Sequence, residues 1–136
     1  MTHPLIQLLF DEHHYPEVSL DSHAQFIDRP GVSVLFFAGD PKRFRDTTDV
    51  AVVLPELDKA FAGTLQPGVV AAPAERELQL HYGFTAWPAL VFLRDGGYLG
   101  AITGIQNWSD YLQQISELIV APAKPLHPVK VPVVSA

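Results

Sequence analysis

The sequence predicts an α/β domain built on a mixed sheet with helices on both faces. Helical and strand patterns alternate along the chain in the order helix, β, α, β, α, β, α, β, β, α. The run Val32–Phe37 is apolar almost throughout, as a strand covered on both sides must be. A tight turn joins the last two strands, so a βαβ unit is followed by a ββα unit. The 136 residues suffice for one domain with a sizeable core.

Pro4 to His14 carries Leu5, Leu8 and Leu9 at helical spacing, behind a proline suited to a first turn. Pro16 to Ser19 is short and extended. From Leu20 a second helix places Leu20, Ala24 and Ile27 on one stripe, with Ser19 or Asp21 as cap and Arg29-Pro30-Gly31 as stop. Val32 to Phe37 is the central strand. Ala38 to Asp49 is a polar loop containing Gly39-Asp40-Pro41. A helix follows over Val50 to Phe61, with Pro55 expected to kink it or delay its start. Gly63 to Gly68 reads as loop and Val69 to Ala72 as a second buried strand.

Ala74 to Tyr82 is helical, with Glu75 and Glu77 in an acidic first turn and Gly83 as C-terminal cap. Trp87-Pro88 leads into the strand Ala89 to Leu93. Arg94-Asp95-Gly96-Gly97 is a hairpin turn, and Tyr98 to Thr103 is the returning strand. Asn107 to Val120 is an amphipathic helix, with Tyr111, Leu112, Ile115, Leu118 and Ile119 at 3–4 spacing and Asn107 or Ser109 as cap. The domain is expected to span 1–121, the N-terminal helix 4–14 included. Residues 122–136 contain Pro122, Pro125, Pro128 and Pro132 and no acidic residue, which predicts an extended or disordered tail.

Composition excludes several chemistries. There is no cysteine, hence no disulfide, thiolate nucleophile, zinc–thiolate site or iron–sulfur ligation. His13 and His14 are adjacent and point apart on a helix, and no metal site is expected. Gly-x-Ser-x-Gly and P-loop motifs are absent. The net charge of −6 hinders non-specific nucleic-acid binding and attracts basic partners. Met1–Phe10 lacks the basic start of a secretory signal, and no window approaches the ~20 apolar residues of a membrane span. A cytoplasmic protein without membrane insertion is the expectation.

From Glu17 to Ile119 the chain resembles a thioredoxin fold. Val32–Phe37 stands where that family has its active-site strand, Trp87-Pro88 where it has its cis-proline, and Tyr98–Gly104 where its last strand ends in glycine. The resemblance implies a thioredoxin-like three-layer α/β/α sandwich with a mixed sheet. Where thioredoxins carry Cys-x-x-Cys, this chain has Gly39-Asp40-Pro41-Lys42-Arg43-Phe44-Arg45, so redox activity does not carry over. Asp40-Pro41-Lys42-Arg43 with Asp49, Tyr82-Gly83-Phe84, Trp87 to Phe92, Gly97-Tyr98, Gly104-Ile105 and Trp108 resemble hydrogenase expression proteins of the HupG/HyaE type. That resemblance implies a chaperone for the small subunit of an uptake nickel–iron hydrogenase. It would bind the small-subunit precursor and its twin-arginine signal peptide before export, without catalysis and without a cofactor.

The candidate partner-binding residues are Asp40, Pro41, Lys42, Arg43, Phe44, Asp46, Asp49, Trp87 and Pro88, with no catalytic residue and no metal ligand assigned. Pro41 stiffens the turn, Asp40 can accept from helix amides, and Lys42, Arg43 and Arg45 project charge. The plain alternative for this segment is a solvated connector. For Trp87-Pro88 it is a structural turn with Trp87 in the core. A peptide can instead pair with the backbone beside such a proline by strand addition. Asp11, Glu12, Glu17, Asp21, Asp28, Asp46, Asp49, Glu56 and Asp58 could build an acidic face selecting arginines. A structural or self-associating subunit, such as a homodimer using the same groove, is the alternative function. A non-thiol enzyme using Asp46 or a histidine is a third.

Overall fold

The computed structural model describes residues 2–126. The elements are α1 (Pro4–Asp11), β1 (Glu17–Val18), α2 (Leu20–Ile27), β2 (Val32–Phe37), α3 (Thr47–Ala60), β3 (Leu65–Val70), α4 (Ala72–Tyr82), β4 (Ala89–Arg94), β5 (Gly97–Thr103) and α5 (Trp108–Leu118). The strands form one sheet in the order β1-β3-β2-β4-β5. β3 runs parallel to β1 and β2, whereas β4 is antiparallel to β2 and β5. This is the expected thioredoxin-like three-layer sandwich with a mixed sheet.

Alternation along β2 divides the core in two. Val34 and Phe36 face Ile6 and Leu9 of α1, Leu54 and Leu57 of α3, and Tyr111 and Ile115 of α5. Leu35 and Phe37 face Phe26 of α2 and Ala74 and Leu78 of α4. All six residues of β2 are buried. Each large apolar side chain so buried contributes about 1.5–3 kcal/mol, which makes β2 the anchor for the loop that leaves its C-terminal end.

The expected loop Gly63–Gly68 is corrected, because β3 starts at Leu65 and runs through Pro67 and Gly68. Pro67 pairs with Val34 of β2 on one side. On the other side β1 reaches only Val69 and Val70, so the missing proline N–H faces no strand. Gly68 is small because the Phe26 ring lies against it; a Cβ there would sit 2.7 Å from Phe26 and 2.9 Å from Val18.

α3 begins at Thr47, earlier than the expected Val50, and carries Pro55 in its interior without a delayed start. α1 ends at Asp11 and His14 turns into the left-handed region at φ 57°, shorter than the expected helix 4–14. The β4–β5 hairpin turns at Asp95 and Gly96, both with positive φ, the geometry that suits Asp-Gly. Arg94 donates to the C=O of Ile119 at 2.9 Å and of Ala121 at 2.5 Å, capping the end of α5. Beyond it, the Lys124 N–H donates to the Tyr98 C=O at 2.7 Å and Leu126 packs against the core layer that holds Phe37 and Leu78. The remainder of the predicted tail, 127–136, lies outside the described residues.

Candidate functional site

β2 ends at Phe37, and one residue on the chain turns at Gly39, where φ is +71°. The Asp40 side chain then accepts the Lys42 N–H at 2.9 Å, and its C=O accepts from Arg43 at 2.9 Å and Phe44 at 2.8 Å. Asp40 therefore organises its own loop, not the amides of α3 as the sequence suggested. Asp46 occupies the N-cap of α3 but makes no side-chain capping bond. The fully buried Thr47 hydroxyl instead donates to the Ala38 C=O at 2.5 Å, tying the start of α3 to the end of β2.

This folding turns Phe44 onto Trp87. Their ring centroids are 5.9 Å apart with planes 23° from parallel, and the Arg43 guanidinium lies 5.3 Å from the Phe44 centroid. Trp87 meets Phe84 edge-on at 5.2 Å and Phe37 at 6.1 Å, which roots the pair in the core. The Trp87–Pro88 peptide bond is cis and Pro88 is buried. Among the described residues neither backbone group of Trp87 pairs with another backbone group, while the Pro88 C=O accepts from Gly104 N–H at 2.8 Å.

Of the nine candidate residues, Phe44 and Trp87 are brought into contact, and the turn of Asp40, Pro41, Lys42, Arg43 and Phe44 forms beside them. Lys42, Arg43 and Asp40 are exposed, and Pro41, Phe44, Asp46 and Trp87 are partly buried. Asp49 is exposed on the first turn of α3 and makes no hydrogen bond or ion pair to the rest of this group among the described residues. The broader acidic face does not form as one surface. Asp21 lies in α2 and Asp28 caps its C-terminal end, on the opposite layer from Asp46, Asp49, Glu56 and Asp58. Asp58 accepts from Tyr15 at 2.8 Å and Glu56 pairs with Lys59 at 3.4 Å.

Sequence reasoning missed Glu75. Its Oε2 accepts the Gly39 N–H at 2.9 Å, and burial raises its pKa above the usual glutamate value, opposed by the Gly39 and Ala38 amides. Only its place in the first turn of α4 was visible in the sequence. Ile105 (37% exposed) and Trp108 (46% exposed), named in the sequence only for the family resemblance, follow Gly104, whose N–H is bonded to the Pro88 C=O. A cleft of about 350 Å³ opens on the other side of the loop, between His3, Glu17, Asp40, Pro41 and Pro73. No group of three His, Asp or Glu side chains able to hold a metal exists among the described residues. No helix among them is long and apolar enough to cross a membrane.

Comparison with known proteins shows the family of the chain. Residues 5–111 match the model of the family described as hydrogenase-1 expression protein HyaE. The hydrogenase expression/formation protein HoxO of Azotobacter vinelandii is 43% identical over 99% of this chain and 89% of its own length. HupG of Rhodobacter capsulatus, named likewise, is 38% identical over 88% of each. A crystal structure of a HupG hydrogenase expression/formation protein from Rhodopseudomonas palustris superimposes with a TM-score of 0.56 at 42% identity, covering 76% of this chain and 93% of that one. The chain belongs to the HyaE family of hydrogenase expression/formation proteins.

Proposed function

We propose that this chain is a non-catalytic chaperone that binds the precursor of a nickel–iron hydrogenase small subunit, including its twin-arginine signal peptide, in the cytoplasm before export. The observation that carries this reading is the backbone of Trp87, which pairs with no other backbone group among the described residues and whose ring lies against the partly exposed Phe44. An extended segment gains backbone hydrogen bonds there and apolar contact with the Phe44–Trp87 pair. The absence of cysteine removes the thiol step that this fold otherwise supports at the same place. Asp40, Asp46 and Asp49 form no ion pair among the described residues and are free to meet client arginines. An affinity near micromolar, about 8 kcal/mol, suits a chaperone that must release its client.

Capture of the full small-subunit precursor by the tagged protein, set against the mature subunit lacking the signal peptide, tests this. Retention of the precursor alone is expected. A second copy of the chain is the other occupant that exposed Ile105 and Trp108 would accept. Sedimentation showing a concentration-dependent dimer, with no precursor retained, would favour that reading.

A further inference from the structure

One peptide unit, Ala38–Gly39, is held at both polar groups by the two helical layers. Its C=O accepts from the Thr47 hydroxyl of α3 at 2.5 Å, and its N–H donates to Glu75 of α4 at 2.9 Å. The unit is the exit from β2 into the loop that carries Phe44. A Cβ on Gly39 would lie 2.8 Å from the Phe44 ring and 3.1 Å from the Trp87 ring, so both aromatics close directly over it. Any shift of this peptide therefore displaces the stack.

Glu75 is an expensive residue for this task. It is partly buried and has no cationic partner among the described residues. Burial raises its pKa, and the Gly39 and Ala38 amides offset that only in part. A carboxyl whose folded pKa lies above its unfolded value favours the folded state when protonated. That stability is lost as pH rises through the folded value, so at neutral pH the ionised group costs stability. A glutamine would hold a similar shape without that cost. Retaining the charge at a loss of stability is the pattern of a functional group.

We propose that Glu75 is the positioning residue of the binding loop: its carboxylate fixes the Gly39 amide and so holds the Phe44–Trp87 stack in the geometry that receives the client, an inference that rests on the client-binding reading above. The charged and titratable groups of the elements around it are Asp40, Lys42, Arg43, Arg45 and Asp46 of the loop, Arg76, Glu77, His81 and Tyr82 of its own helix, Asp21 and His23 of the adjoining α2, and His3 and Glu17 across the cleft. The shift at Glu75 itself arises from burial and the two amides, not from these charges.

The test is nuclear magnetic resonance of the Gly39 amide and the Trp87 indole N–H through a pH titration, in the wild type and in Glu75→Gln. Calorimetry with the hydrogenase small-subunit signal peptide accompanies it. In the wild type both resonances are expected to titrate together, with a midpoint above the ordinary glutamate range. In Glu75→Gln both titrations vanish, thermal stability at neutral pH is kept or raised, and peptide affinity falls about 3- to 10-fold, the scale of one charge-assisted hydrogen bond. Resonances that fail to titrate in the wild type, or that titrate unchanged in the variant, overturn the proposal. So does a variant that binds the peptide as tightly as the wild type. If neither protein binds the peptide, the client reading fails, while the two titrations still decide whether Glu75 sets the loop.

Discussion

Phe44 lies nearly flat on Trp87, with ring centroids 5.9 Å apart, and this contact joins the loop leaving β2 to the proline loop entering β4. Phe44 is partly buried, so the contact contributes little to the core and much to the shape of the surface. Phe44→Ala is expected to cost about 1 kcal/mol of stability, the scale of an aromatic pair. Client affinity should fall about tenfold, because the platform beside the Trp87 backbone is lost. Urea denaturation and calorimetry read the two effects; unchanged affinity would remove Phe44 from the site.

Thr47 is fully buried, and its hydroxyl satisfies the Ala38 carbonyl. Thr47→Val keeps the volume and removes the donor, which leaves that carbonyl unpaired at a cost of about 1–3 kcal/mol. The expected sign is opposite to that of Glu75→Gln at neutral pH, although both side chains hold the same peptide. Denaturant midpoints of the two variants, measured together, check the contrast.

Gly68 separates the β3 backbone from Phe26 and Val18. Gly68→Ala is expected to destabilise by about 1–3 kcal/mol through overpacking. Phe26→Leu in the same chain should recover part of that loss, and thermal unfolding of the double variant measures the recovery.

His23 accepts from or donates to the Tyr82 hydroxyl at 2.6 Å, and burial together with nearby His81 lowers the His23 pKa. A histidine whose folded pKa is depressed gives stability that is complete above its unfolded value and is lost as pH falls through the folded one. Stability is therefore expected to drop on acidification below about pH 6.5, the usual histidine value. His23→Gln should flatten that limb. Glu75 acts with the opposite sign, so stability profiles of the two single variants separate their contributions.

Much of this architecture was legible in the sequence for local reasons. The run Val32–Phe37 is apolar apart from Ser33, Asp95-Gly96 fits a tight hairpin, and Gly83 takes the left-handed cap of α4 at φ 79°. β3 was misplaced because Pro67 and Gly68 carry the local signature of a loop. Their place in a strand depends on the shortness of β1 and on the Phe26 ring, neither visible from neighbouring residues. Phe44, Trp87 and Pro88 were named from motif and position. The clamp on Ala38–Gly39 was not, because Thr47 and Glu75 meet that peptide only after α3 and α4 have packed on opposite faces of the sheet.

The client itself is tested most directly by calorimetric titration of the folded protein with the hydrogenase small-subunit signal peptide, alongside the same peptide with both arginines replaced by alanine. Saturable binding near micromolar affinity, about 8 kcal/mol, weakened by salt and lost without the arginines, is the predicted result. Absence of binding, or equal binding of both peptides, would contradict it.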